Sequence, residues 1–196
     1  MLRSDKAIHY YFKHKEVTGH VCNKIFKREL FNEYAIVFPK EKSYEDLSTS
    51  FKLFWHANQI VFINRTFYNY LQRAGAMSGK MELTRWHLIE NVYLIKDFLL
   101  QKRLYGKHEE KFCQLLITQL FLIDVNLQKN KANKNYRVLK NKTQREVEGI
   151  HFFKTVFSTQ IDSTTKLKYL IMKYQMDAVI DALLKIKKLK NVKQKQ

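Results

Sequence analysis

The sequence predicts an α+β fold, predominantly helical, in which a mixed α/β portion over residues 1–82 precedes a basic helical region over residues 83–196. Three observations predict it. Apolar residues make up 45% of the 196-residue chain and aromatic residues 14%, which is ample for a core. A single proline, Pro39, and five glycines are too few turn formers for a many-stranded sandwich or barrel; they suit long helices joined by short polar connections. The hydrophobic period also changes near residue 82. Before it, β-branched and aromatic runs alternate with helical patterns, and after it only 3.6-residue patterns occur.

Residues 5–15 place Ala7, Ile8, Tyr11 and Phe12 at helical spacing behind a Ser4 or Asp5 cap, which predicts a short amphipathic helix. Residues 20–26 alternate as a strand does. From Leu47 through Phe51, Phe54 and Trp55 the apolar positions predict a helix over 45–57 with one aromatic-rich face. Residues 59–63 and 66–71 are β-branched and aromatic, predicting two strands separated by Asn64-Arg65, and Gly75 and Gly79 bracket the loop that follows. Helices are then expected over 83–101, 112–127 and 144–158, and over 163–190 as the last and longest, with lysines beside or opposite its apolar stripe.

The opening residues contain no apolar signal-peptide core, and no stretch approaches the roughly 20 uninterrupted apolar residues of a spanning helix. The expected location is the cytoplasm, including the inner face of the cell membrane. Cys22 and Cys113 match no metal or redox spacing and are expected as reduced, buried thiols. The seven histidines form no ligand-spaced set, so no metal site is expected. The net charge is +18 and unevenly placed: residues 1–83 hold 13 Lys and Arg against 8 Asp and Glu, and residues 84–196 hold 23 against 10. Residues 129–145 carry seven basic side chains and no acid, and residues 185–195 carry six lysines. Such runs suit a polyanion, whether anionic lipid headgroups, nucleic acid or a lipid diphosphate; the plain alternative is a solvated basic face. The lysine-flanked stripe over 163–195 fits an anionic membrane surface as well as core packing. No helix-turn-helix, zinc-finger or RNA-recognition motif accompanies the charge.

Residues 43–46, Ser43-Tyr44-Glu45-Asp46, have two readings. A hydroxyl followed three residues later by an acid is a capping box worth about 1 kcal/mol. A carboxylate in a first helical turn is also held near the positive end of the helix dipole, which favours the ionised form and keeps it available as a base. Upstream stand Cys22-Asn23-Lys24-Ile25-Phe26 and Arg28-Glu29-Leu30-Phe31; downstream stand Tyr68-x-Tyr70-x-Gln72-Arg73-x-Gly75. In this order and spacing the set resembles the acceptor-side half of bacterial family 2 glycosyltransferases, inverting enzymes of the GT-A fold.

The resemblance covers residues 5–80 and implies a partial GT-A acceptor-side piece from an enzyme of surface-polysaccharide synthesis. It implies Asp46 as general base with Glu45 beside it, and Lys24, Tyr70, Gln72 and Arg73 as substrate-binding residues. The acceptor would be a glycan or lipid-linked sugar and the reaction hexose transfer from a nucleotide sugar, with Mg²⁺ or Mn²⁺ in a complete member. This chain departs from the pattern at Ala76, where the family has serine, and Leu83-Thr84-Arg85-Trp86 is only a partial echo of the Gln-x-x-Arg-Trp motif of processive members. No Asp-x-Asp motif and no glycine-rich phosphate loop occurs in it. No cofactor is therefore assigned to the chain itself, which is expected to be inactive alone and to need a separately encoded donor-binding half. The alternative is a basic helical module that binds nucleic acid or an anionic membrane. Independently of the resemblance, a lysine such as Lys24 more commonly lies along apolar surface at a segment edge than on a ligand.

Overall fold

In the computed structural model, which describes residues 2–13, 17–69, 71 and 82–193 (side chains to 186), helices dominate. The chain divides into Met1–Leu116 and Ile117–Gln196. The first unit contains α1 (Ser4–Lys13), α2 (Arg28–Glu33), α3 (Glu45–His56), a 3-10 turn (Leu83–Trp86), α4 (His87–Gln101) and the first half of α5 (Tyr105–Lys129). The second contains the rest of α5, α6 (Tyr136–Gly149), α7 (Phe152–Val156), α8 (Ser163–Lys173) and α9 (Asp177–Lys193).

The core of the first unit is aromatic. Ala7, Ile8, Tyr11 and Phe12, the positions that the period of α1 selects, are all buried. They meet α3 through Phe51, which is fully buried and lies edge-on to both Tyr11 and Phe12 with ring centroids 5.4 Å apart. Phe98 of α4 approaches the same ring at 6.0 Å. Burying a side chain of this size stabilises by about 1.5–3 kcal/mol, and edge-to-face pairing adds to it.

The predicted strands do not form among the described residues. Among the described residues of 59–71 there is one isolated bridge, Leu2 with Ile60, closed by main-chain bonds of 2.8 and 2.9 Å. Val61, Phe62, Ile63, Phe67, Tyr68 and Leu71 are exposed instead. Strand propensity expresses packing on a neighbouring strand, and none is offered here. Residues 20–26 likewise turn rather than extend, with Lys24 N–H donating to the Val21 carbonyl at 3.1 Å. Both cysteines are free thiols, but Cys22 is exposed rather than buried and Cys113 is half-buried.

Two predicted helices are each split in two. The expected helix over 144–158 breaks after Gly149, and His151 begins α7 by accepting the Lys154 amide at 3.3 Å. The expected helix over 163–190 breaks at residues 174–176. There Gln175 takes a left-handed φ of 50°, its N–H bonds the Met172 carbonyl at 3.1 Å, and Met176 N–H reaches back to Ile171 at 2.9 Å. This Schellman ending releases α9, whose Asp177 then meets Lys140 at 2.7 Å. Lys140 also holds Asp124 of α5, a carboxylate 1% exposed, at 2.7 Å. Burial pulls the Lys140 ammonium down, yet the two carboxylates outweigh it and hold its pKa above the ordinary lysine value. Asp162 caps α8 through the Thr165 amide at 2.8 Å, and the buried Tyr169 hydroxyl donates to the Ile150 carbonyl at 3.0 Å.

Helices α2 and α4 end as α8 does, on Ala35 (φ 48°) and Arg103 (φ 57°), with Ile36 N–H on the Phe31 carbonyl at 3.0 Å and Leu104 N–H on Leu99 at 2.9 Å. A left-handed non-glycine residue costs about 1–2 kcal/mol, part of which a glycine gives back as added freedom of the unfolded chain. Gln175→Gly is therefore expected to stabilise by about 0.5–1 kcal/mol, read as a higher urea midpoint at unchanged slope.

His108 stacks on Phe12 at 5.9 Å and stands edge-on to Trp55 at 5.7 Å, its Nδ1 buried with no hydrogen-bond partner. Burial, then Lys111 and Lys107, hold its pKa below 6.5. His56 shifts the same way through burial and Lys102, partly opposed by Glu33. A folded-state pKa below the unfolded one means that unfolding takes up protons once the pH drops through the unfolded value near 6.5, so stability falls there. Urea unfolding at about pH 7 and about pH 5 should show that loss, and His108→Phe should flatten it.

Candidate active site

The loop before α3 is fixed by polar contacts with α4 and the 3-10 turn. Ser43 N–H donates to His87 Nδ1 at 3.0 Å, and Asn91 Nδ2 donates to the Ser43 carbonyl at 3.1 Å. Asn91, fully buried, also accepts from the Ser48 hydroxyl at 2.7 Å, and Lys42 pairs with Glu90 at 2.6 Å. Arg85 donates to the Tyr44 hydroxyl with its guanidinium 5.6 Å from the centre of that ring. Tyr44 is left-handed (φ 63°) and stands at the N-cap, where no side chain accepts from the helix. The predicted capping box is thus not formed: the Ser43 main chain is drawn to α4, and Glu45 and Asp46 open the helix without it.

Behind this turn the main chain of α3 comes against the loop at Gly19. A Cβ on Gly19 would lie 2.8 Å from Leu47 Cδ1, 2.9 Å from Leu47 Cα and 3.0 Å from the Tyr11 hydroxyl, so only glycine fits without a shift. The Tyr11 hydroxyl donates to the Leu47 carbonyl and lies 3.0 Å from Ser50 Oγ, while Ser50 Oγ donates to the Gly19 carbonyl at 2.9 Å. Complete burial drives the Tyr11 pKa far above the ordinary phenol range, so the hydroxyl stays protonated as a donor. This knot delivers residues 20–24 to the start of α3.

Asp46 then faces His20, with Oδ2 3.7 Å from Nδ1 and the carboxylate side chain 27% exposed. Lys24 donates to the His20 carbonyl and, at 2.7 Å, to Asn23 Oδ1, with its ammonium 6.0 Å from the Phe54 ring centre. Burial lowers the Lys24 pKa, opposed in part by the Asp46 carboxylate among its neighbours. Asp46 shifts upward: burial raises it first, the approach of His20 opposes, Glu45 adds to the rise, and the Leu47 amide favours the anion. The helix start alone would favour an easily ionised acid, but desolvation wins and gives a more basic carboxylate.

Of the predicted site residues, Glu45 and Asp46 open α3, and Lys24, on the loop that carries His20, is within electrostatic reach of Asp46. Tyr70, Gln72 and Arg73, with Gly75 and Gly79, lie outside the described residues. His20, Arg85, His87 and Asn91 were not singled out from sequence as part of this site, although Arg85 belongs to the Leu83–Trp86 echo noted there. The Mg²⁺ or Mn²⁺ of a complete glycosyltransferase finds no ligand set in these residues: among those described, no group of three or more His, Cys, Asp or Glu could hold a metal ion. No family model matches the chain, and no curated protein or solved structure does.

Gly19→Ala should force the loop and α3 apart at Leu47 Cα, which no side-chain rotation relieves. We expect a loss of about 1–3 kcal/mol in unfolding free energy, with the Asp46–His20 approach lengthened in an NMR or crystallographic comparison.

Proposed function

We propose that this chain supplies the acceptor side of an inverting glycosyltransferase related to family 2, with Asp46 as the base. The observation that carries this reading is Asp46 itself: a carboxylate in the first turn of α3, partly shielded, raised in basicity by burial, and faced by His20 with Lys24 close behind. The Glu-Asp pair at the start of α3 and the Lys24 segment, within electrostatic reach of Asp46, add support as two parts of the resembling motif string.

In this reading an acceptor hydroxyl of a glycan or lipid-linked sugar approaches Asp46. Its oxygen attacks the anomeric carbon from the face opposite the nucleotide diphosphate, its proton passes to an Asp46 carboxylate oxygen, and the bond to the diphosphate breaks. Glu45 and Lys24 border the acceptor, Lys24 offering a cation of lowered pKa for an oxygen-rich group. The nucleotide sugar and its cation are held by a separate donor-binding polypeptide, and no part of the step is assigned to a metal on this chain.

Two measurements test the reading. Calorimetric titration of the purified chain with UDP-hexoses and Mn²⁺ should give neither binding nor hydrolysis, and either one would overturn the division of labour. Once transfer is reconstituted with the donor-binding polypeptide, Asp46→Asn should slow it about 10²- to 10⁴-fold with circular dichroism unchanged. Undiminished turnover of that variant removes Asp46 from the chemistry.

A further inference from the structure

In the second unit, Phe153 and Phe157 are 66% and 74% exposed. Phe153 on α7 and Phe157 at its C-cap are one helical turn apart, with nearly parallel rings (8°) and centroids 6.2 Å apart. Their mounting is rigid. Phe152 stands edge-on to Phe153 at 5.4 Å and leans on the fully buried Tyr169 at 6.4 Å, and Thr155, 2% exposed, seats the other side of the turn. Two phenylalanines held outward on a fixed base form an apolar projection that the unit's own core does not use.

Charge bears on which partner would fit it. Residues 117–196 hold 17 Lys and Arg against six Asp and Glu. None of those acids is free: Asp124 and Asp177 lie on Lys140, Asp181 on Lys131, Asp162 on the Thr165 amide and Glu148 on the Gln144 amide, and Glu146 is engaged as well. Lys154 lies between the two phenylalanines in sequence, and Lys134, Arg137, Lys142 and Arg145 are exposed along the acid-free run. We infer that the α7 turn of this unit seats on an anionic lipid surface, Phe153 and Phe157 entering the headgroup boundary with Lys154 beside them at the phosphates, and the unit's wider basic charge adding long-range attraction. Apolar insertion combined with basic side chains is what an anionic interface rewards. A nucleic acid is favoured less, because the two rings project outward, 66% and 74% exposed, as an inserting pair does, whereas base stacking is built into a basic groove. The expected contact is thereby led by α7, upstream of the 163–195 stripe that the sequence singles out.

The test is co-sedimentation of the full chain with vesicles of phosphatidylcholine alone and of phosphatidylcholine mixed with phosphatidylglycerol. Binding should require phosphatidylglycerol and weaken with salt. The Phe153→Ser/Phe157→Ser double variant should lower the partition coefficient about 10-fold or more with circular dichroism retained, and Lys154→Gln should lower it about fivefold. A Phe157→Trp variant should blue-shift its emission on the anionic vesicles. Absence of binding to them, or binding that the double variant leaves unchanged, overturns the inference. So does tight binding of a single-stranded oligonucleotide that the double variant weakens as much as it weakens vesicle binding, which would assign the face to nucleic acid.

Discussion

The Leu47 carbonyl and its neighbours are the point on which the first unit depends. Tyr11 of α1 and Ser50 of α3 meet there, and Gly19 closes the gap from the loop. Each group satisfies another: a buried phenol finds its acceptor, and a buried serine hydroxyl ties down a loop carbonyl that would otherwise be stranded. Because Gly19 packs closely against Leu47, with no room for a side chain, it sets where the loop passes α3, and with it the side from which His20 reaches Asp46. The geometry at the carboxylate is set from behind, by residues that have no part in its chemistry.

A second polar assembly fixes the same turn from the other side. His87, Asn91 and Glu90 of α4 hold Ser43, Ser48 and Lys42, so the start of α3 is clamped by hydrogen bonds in place of a side-chain cap. The helix start thus does not depend on a side-chain cap from its acids. Glu45 and Asp46 therefore stand where the helix start favours negative charge while partial burial withholds water from Asp46, and the balance between these two effects makes that carboxylate a stronger base than an exposed one.

Much of this was legible in the sequence wherever one element determines its own appearance. The buried positions of α1 and the extent of α3 follow from a 3.6-residue period and an aromatic stripe, and they appear where the period puts them. What could not be read depends on partners distant in sequence. The runs over 59–63 and 66–71 have strand composition but lack a neighbour to pair with among the described residues, and composition carries no record of a missing neighbour. The break at Gln175 lies inside an unbroken helical pattern; it arises from a left-handed residue of a type that rarely takes that conformation, and from the reach of Asp177 to Lys140, 37 residues away. The pairing of Ser43 with His87 spans 44 residues and obeys no period, so the capping box that local spacing suggested gave way to a contact that only the tertiary structure reveals.

The helix ends on Ala35, Arg103 and Gln175 have a wider consequence. A chain with only five glycines has had to finish these helices with side chains in a conformation that suits them poorly. Marginal stability is thereby spent at three positions outside the turn that holds Asp46, and recovering it requires changing none of the residues around that carboxylate. Such positions are latent suppressors: a lineage or an engineer altering Gly19, Lys24 or the Asp46 surroundings could offset the damage there, so the candidate site is freer to diverge than its tight construction suggests.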